Sequence, residues 1–432
     1  MTPEKPKRHI LLLCNRPKDG SNAGTIIDHI DSFRRYSSHQ VCEWSSVKGI
    51  PEELDLGRFD ALVIHYSIPV FQETYLPRET ALRIARYRGL KILFVQDEYR
   101  RVDRLCASIQ SLGIDLLYSV APEPVMRQIY GGRLGNQVQL RSTLTGFVPE
   151  AMERVVLQPI KGRPIDVGYR ARKCPYWLGR HAMEKAWIGE KFDRAAPAFG
   201  LRCDISSKER DRLYGEHWFK FLANCRATLG TESGTSLVDF TGKIEYRLDR
   251  FQAFHPFARF EDVPGELLRE DGNVPLFAIS PRCFESAAFG TAMIMYPGAY
   301  SGVLAADRHY IPLAKDHSNM AAVVSKLRDD AFLQELADRT RREIVESGKF
   351  SYRSFIKDID EDLNREWEKR GAHPAEGFGA SEWGAMLGRH SQSSLRAGDS
   401  LYLRLRRQIW RMLPTAVGNL LRVTLLKQRL YG

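Results

Sequence analysis

The chain has 432 residues, of which 43% are hydrophobic, 10% aromatic and 27% charged, values that exclude collagen-like, coiled-coil and wholly disordered classes. Lys and Arg number 64 against 53 Asp and Glu, a net charge of +11. Much of that excess sits in one place: from Arg396 onward, Arg396, Arg404, Arg406, Arg407, Arg411, Arg422, Lys427 and Arg429 face Asp399 alone, so the folded body is near neutral and a nucleic-acid-binding body is not expected.

The cysteines Cys14, Cys42, Cys106, Cys174, Cys203, Cys225 and Cys283 are odd in number and form no Cys-x-x-Cys pair. A disulfide framework or structural zinc is not expected, and a reducing compartment fits. The apolar run after the N-terminus is too short for a signal-peptide core, and no stretch approaches the ~20 apolar residues needed to span a bilayer. The expectation is a cytoplasmic chain, soluble or lying on a membrane without crossing it.

In chain order, apolar β-branched runs at His9–Cys14, Val41–Trp44, Ala61–Ile64, Lys91–Val95 and Leu116–Val120 alternate with helix-periodic segments at Ile26–Tyr36, Arg78–Arg88 and Val102–Leu112. A second series follows: a strand at Ile165–Tyr169, a helix at Leu178–Lys191, a strand at Ala227–Gly230, an irregular insertion at Phe240–Asn273, a helix at Pro281–Phe289, strands at Ala292–Tyr296 and Tyr310–Leu313, and a helix at Ser318–Leu327. Such alternation predicts an α/β protein of two Rossmann-like, doubly wound lobes facing a cleft, with ligands beyond the carboxyl ends of the strands. The predicted division is 1–155 for the first lobe, 156–345 for the second, 346–370 for a helix returning to the first lobe, 371–395 for a Gly- and Ser-rich linker, and 396–432 for a basic amphipathic tail. In that tail Trp410 and apolar residues edged by Arg suit a helix lying in the headgroup layer.

The most informative stretch is Ile279-Ser280-Pro281-Arg282-Cys283-Phe284-Glu285-Ser286-Ala287-Ala288-Phe289-Gly290-Thr291 before the strand Ala292–Tyr296. Pro281 suits a first helical position, the small residues allow close packing, and Gly290 ends the helix. Arg282 near the free amides offers a guanidinium to a diphosphate, and Glu285 is placed to accept hydrogen bonds from ribose hydroxyls. This run resembles the signature of GT-B glycosyltransferases of the group-1 transferase superfamily, and its Pro-Arg-x-Phe-Glu form is most similar to the spore-maturation-type branch.

The resemblance implies transfer of a sugar from a nucleotide-sugar donor to a glycan or lipid-linked acceptor, with Glu285 on the nucleotide ribose. It further implies metal-independent chemistry and no cofactor besides the donor itself. The basic tail, unless it packs as a helical hairpin on the body or on a partner chain, would hold the enzyme on anionic lipid at the inner face of the cytoplasmic membrane, beside a lipid-linked acceptor as in bacterial surface-polysaccharide assembly. The superfamily usually carries a second Glu eight residues earlier, on the donor sugar; this chain has Phe277 there, and Glu232 in Gly230-Thr231-Glu232-Ser233-Gly234 is the candidate replacement. Tyr300, Ser301 and Gly302 match a glycine-flanked donor loop whose amides cradle phosphate. Arg170, Arg172 and Lys173, ending the strand at 165–169, are candidates for stabilising the departing diphosphate. In the first lobe, Arg16–Thr25 lacks Gly-x-Gly-x-x-Gly, so a nicotinamide site is not predicted. His65, Asp97 and Glu98 end strands and are candidate bases or sugar contacts. His181, His217, His309 and His317 have no metal-ligand spacing and are expected to be structural. A catalytically degenerate sugar-nucleotide or polysaccharide-binding protein is the alternative, and a two-lobed epimerase lacks an identifiable acid/base pair.

Overall fold

The computed structural model describes residues 6–17, 24–47 and 49–394. The basic tail and positions 18–23 of the Arg16–Thr25 loop therefore lie outside the described residues. Contacts divide the described chain into two compact units. The first gathers the chain up to Thr143, Asp239–Lys243 and the chain from Phe355 on; the second holds Leu144–Val238 and Ile244–Ser354.

The first unit runs β1 (His9–Cys14), α1 (Gly24–Tyr36), β2 (Gln40–Ser45), β3 (Ala61–Ile64), α2 (Arg78–Arg86), β4 (Leu90–Val95), α3 (Val102–Leu112), β5 (Leu116–Ser119), α4 (Glu123–Tyr130) and β6 (Gln139–Ser142). These strands form a parallel six-stranded sheet in the order β2-β1-β3-β4-β5-β6. Every residue of β3, β4 and β5 is buried, as continuous apolar runs require when both sheet faces are covered.

The second unit runs α5 (Glu150–Glu153), β7 (Ile165–Arg170), α6 (Gly179–Ala195), β8 (Cys203–Ser206), α7 (Gly215–Asn224), β9 (Cys225–Gly230), β10 (Ser233–Thr235), α8 (Lys243–Phe254), β11 (Leu276–Ala278), α9 (Pro281–Ala288), β12 (Ala292–Met295), β13 (Ile311–Pro312), α10 (Met320–Arg328) and α11 (Asp330–Arg341). Five of these strands make a parallel sheet ordered β13-β12-β9-β7-β8, and β10 pairs antiparallel with β11. The chain leaves β7 for β8 on one side and then crosses to β9 on the other, so the order reverses between β7 and β9. Beyond the carboxyl ends of that pair is where an open α/β sheet forms its ligand crevice.

The chain then passes into α12 (Tyr352–Arg370). From Phe355 on, this helix belongs to the first unit. Phe355 packs against His29, Phe33 and Phe94 at ring separations of 5.0, 6.1 and 6.1 Å. Asp360 accepts from Ser37 and Ser38, and the Trp367 indole donates to the Asp60 carbonyl. Burying a ring such as Phe355 stabilises by about 2–3 kcal/mol.

The 371–395 stretch departs from the linker expectation, since it carries α13 (Ala380–Ser394). Trp383 sets its ring 5.9 Å from Trp44 and 6.1 Å from Phe59, and Arg58 forms an ion pair with Glu382. One aromatic anchor and a bidentate guanidinium outweigh the glycine content from which the linker was read. Among the described residues, no helix is long and apolar enough to cross a membrane.

Candidate functional site

Helix α9 begins at Pro281, buries Cys283, Phe284, Ser286, Ala287 and Ala288, and leads into the fully buried β12. That inward face fixes the helix, and the same phase leaves Arg282 exposed and Glu285 half-buried. The Trp218 indole N–H, from α7, donates to Glu285 Oε2 at 2.7 Å. Burial pushes the Glu285 carboxyl up, against the opposing pull of the indole bond and the Arg282 charge. The Arg282 guanidinium lies 5.0 Å from the Trp218 ring centroid and donates to the Arg170 carbonyl. Trp218 in turn stacks on Phe221 at 5.7 Å, and the Arg170 guanidinium covers Phe221 at 4.4 Å. The end of β7, α7 and the start of α9 thus meet in one aromatic and charged cluster.

Arg170 is held by the protein itself. Its Nε donates to the Asp211 carbonyl at 3.0 Å, Nη1 to the carbonyls of Tyr169 and Asp204, and Nη2 to the Asp204 carboxylate. It ties β7 to β8 and presents little to a ligand. Arg172 and Lys173 are exposed, with Lys173 Nζ 3.5 Å from Glu190.

Glu232 lies just past β9 and is buried. Its Oε1 accepts the Tyr300 amide N–H at 2.7 Å, and the Ala299 amide also bonds it, while burial pushes its carboxyl up. A Cβ at Gly298 would come within 2.5 Å of Glu232 Oε2, so the close approach of carboxylate to backbone requires glycine there. Tyr300, Ser301 and Gly302 have φ of 45°, 54° and 73°. Of this left-handed run the Tyr300 amide meets the protein's own Glu232 carboxylate, together with the preceding Ala299 amide, while the Gly302 amide turns back to the Ala299 carbonyl. The Tyr300 side chain is buried, with its hydroxyl on the Tyr296 carbonyl, and Ser301 Oγ accepts the Ile279 amide.

Beside Glu232 opens a cavity of about 450 Å³ lined by Arg180, His181, Glu184, Phe277 and Lys315 among others. Phe277 reaches it because β11 pairs with β10, Gly234 opposite Phe277. Gly234 has φ 102° and a Cβ there would meet the Leu276 carbonyl at 2.0 Å. The hairpin therefore brings Glu232 and Phe277 to one pocket across the intervening 236–275 segment, which contains the Phe240–Asn273 insertion. His181 stacks on Phe277 with ring centroids 3.8 Å apart. Lys315 Nζ donates to Glu184 Oε1 at 2.6 Å, and Glu184 Oε2 lies 3.7 Å from His181 Nδ1. Burial and the charges of Lys315 and Lys185 hold the imidazole down at about 4, so it is neutral at pH 7, with Nε2 buried and bonded to no protein atom. Cys283 links the two clusters: burial pushes its thiol up to about 12, and both Glu285 and Glu232 add to the rise.

In the first unit, His65 is fully buried past β3, accepting the Ser67 amide on Nδ1 at 3.0 Å with its ring 4.8 Å from His29. Burial holds it well below the ordinary histidine range. Glu98 is also buried, accepting from the Ser119 hydroxyl, and desolvation raises it to about 7. Asp97 is exposed and accepts the Tyr99 hydroxyl at 2.7 Å. Of the three candidates, Asp97 alone faces solvent.

Among the sequence-predicted residues, then, Arg282 and Glu285 are together at α9, and Glu232 joins the Tyr300–Gly302 loop. Trp218 and His181 are functional candidates that the sequence alone does not single out. Trp218, Phe221 and Leu222 have helical spacing, a signal of a helix but not of a partner 67 residues away. Among the described residues, no group of three or more His, Cys, Asp or Glu is arranged to hold a metal ion.

No protein-family model matches the chain, and no curated protein matches it in sequence. In structure it is similar to HepE of Anabaena in complex with UDP and glucose, with 11% identity, a TM-score of 0.46, and coverage of 83% of this chain and 99% of that one. It is also similar to a DNA-modifying β-glucosyltransferase (11% identity, TM-score 0.45, 83% and 98% covered). Sucrose-phosphate synthase of Thermosynechococcus elongatus is a third (10% identity, TM-score 0.43, 84% and 100% covered).

Proposed function

We propose that the chain is a GT-B glycosyltransferase of the group-1 superfamily, moving a sugar from a nucleotide-sugar donor to a glycan or lipid-linked acceptor. The observation that carries this reading is the Trp218–Arg282–Glu285 cluster at the start of α9. Glu285 Oε2 is held by the indole, which leaves Oε1 to accept a ribose hydroxyl; Arg282, exposed beside the first helical amides, meets the diphosphate. As the glycosidic bond breaks, negative charge grows on the departing diphosphate, and Arg282, Arg172 and Lys173 stabilise it without a metal ion. The cavity beside Glu232 is of a size for the sugar. Asp97 is the candidate to take the acceptor's proton. The spore-maturation-type branch, surface-polysaccharide assembly and attachment to the inner face of the cytoplasmic membrane through the basic tail belong to the same proposal.

Calorimetric titration with nucleoside diphosphates tests it. Glu285→Ala should weaken binding by about 1–3 kcal/mol, the loss of hydrogen bonds to a charged group; unchanged affinity in a folded variant would sink the assignment. A second reading, a sugar-nucleotide-binding protein without turnover, is favoured by the sealed positions of His65 and Glu98 and by the amides already on Glu232. Release of nucleoside diphosphate with donor and acceptor present separates the two.

A further inference from the structure

Helix α8 buries Glu245, Leu248 and Asp249. Arg247, Arg250 and Phe254 are exposed, at spacings of three and four that set them on one face. Beyond the helix the chain turns through His255-Pro256-Phe257-Ala258, a turn held by the His255 amide on the Phe251 carbonyl and the Ala258 amide on the His255 carbonyl. This ordered turn leaves Phe254 60% exposed and Phe257 96% exposed. The Arg250 guanidinium sits 5.8 Å from the Phe254 ring. Between 247 and 259 the exposed charges are Arg247, Arg250 and Arg259, because Asp249 is turned inward. Arg259 is 3.6 Å from Asp262, and Glu261 and Asp262 are the exposed acids that follow.

We propose that this tip docks on an anionic lipid surface, Phe254 and Phe257 entering the headgroup–acyl boundary while Arg247 and Arg250 meet lipid phosphates. A protein partner needs a patch of several hundred Å² with neighbours packed around each ring. Two rings, one at the end of α8 and one on the turn after it, beside Arg247 and Arg250, offer little such area. They suit a fluid medium that closes around each ring and repays the guanidinium charge. The inference stands on the second unit alone, apart from both the sugar-transfer reading and the basic tail.

The test uses the full chain, so that the tail is present in every sample, with phosphatidylcholine vesicles containing or lacking phosphatidylglycerol. Phe254→Ser/Phe257→Ser should cut sedimentation with the anionic vesicles about tenfold or more, and Arg247→Gln/Arg250→Gln should cut it about fivefold per charge at low salt. All four side chains are exposed, so melting temperatures should stay within about 2 °C of the parent. In Phe257→Trp, brominated lipid should quench an emission component absent from the parent chain. No vesicle binding by the parent, full binding by the double Phe variant, or failure of brominated lipid to quench the added indole in Phe257→Trp would each overturn the proposal. Concentration-dependent self-association abolished by the double Phe variant would do so as well, by giving the rings to a second copy.

Discussion

The two parallel sheets end differently. At the carboxyl edge of the first, β3 and β4 deliver His65 and Glu98 into a closed interior, one against Ser67 and His29, the other against Ser119. In the second, β7 ends beside Arg282 and Glu285 at the start of α9, and β9 leads to Glu232, which borders an open cavity. The contrast comes from what fills each edge. Aromatic side chains of α1 and α12 fill the first: His29, Phe33 and Phe355 pack with Phe94. In the second, the chain between β10 and β11, which carries α8, returns as a three-residue strand, leaving Phe277 and His181 stacked at a wall with space beside them. A polar residue at a strand end is a site only where nothing packs over it.

If that division is right, the largest effect in the first unit belongs to its exposed carboxylate. Asp97→Asn keeps an acceptor for the Tyr99 hydroxyl but cannot take a proton. Transfer should fall by about 10²–10⁴-fold, as for loss of a general base, with stability changed by no more than about 0.5 kcal/mol. Initial-rate assays alongside thermal melts check it; full activity would remove the first unit from the chemistry.

Glu98 should act on stability alone. Its folded-state carboxyl titrates at about 7 against an ordinary 4.5, so the native state holds a proton that the unfolded chain has released. Its contribution is fully present below about pH 4.5 and is lost as pH rises through about 7. That window of about 2.5 pH units corresponds to roughly 3 kcal/mol. Chemical denaturation of the parent and of Glu98→Gln between pH 5 and 8 should give curves whose difference changes by that order, the Gln variant gaining relative to the parent at high pH. Parallel curves would mean that Glu98 reaches solvent.

Much of the architecture was legible because parallel strands buried on both faces read as continuous apolar runs, as in Ile10–Cys14 or Ala61–Ile64. Among the elements that escaped are helices with a buried face, such as α4 and α11, and two whose burial is partial. β8 is an edge strand with the half-buried sequence Cys-Asp-Ile-Ser, and α13 is glycine-containing and defined by Trp383 finding Trp44. Arg282 and Glu285 could be read because one helix turn holds both. The pairing of Glu232 with the Tyr300 amide spans 68 residues, and the burial of His65 depends on α1 and α12; neither is written in a local pattern.

The smallest effect sharpens the open side. Trp218→Phe keeps the ring under Arg282 and its stacking on Phe221, and deletes only the N–H that holds Glu285 Oε2. A half-buried carboxylate then loses one hydrogen bond, worth about 1–2 kcal/mol where a charge is involved. Because burial already pushes the Glu285 carboxyl up and the indole bond opposes that, its removal should raise the carboxyl further. Nucleoside diphosphate affinity should therefore drop by about 1 kcal/mol near pH 7 and the loss should deepen toward lower pH, where more Glu285 is protonated and unable to accept a ribose hydroxyl. Titrations at several pH values, in parent and variant, check both features. A pH-independent loss would assign Trp218 to packing alone, and no loss at all would separate α7 from the nucleotide site.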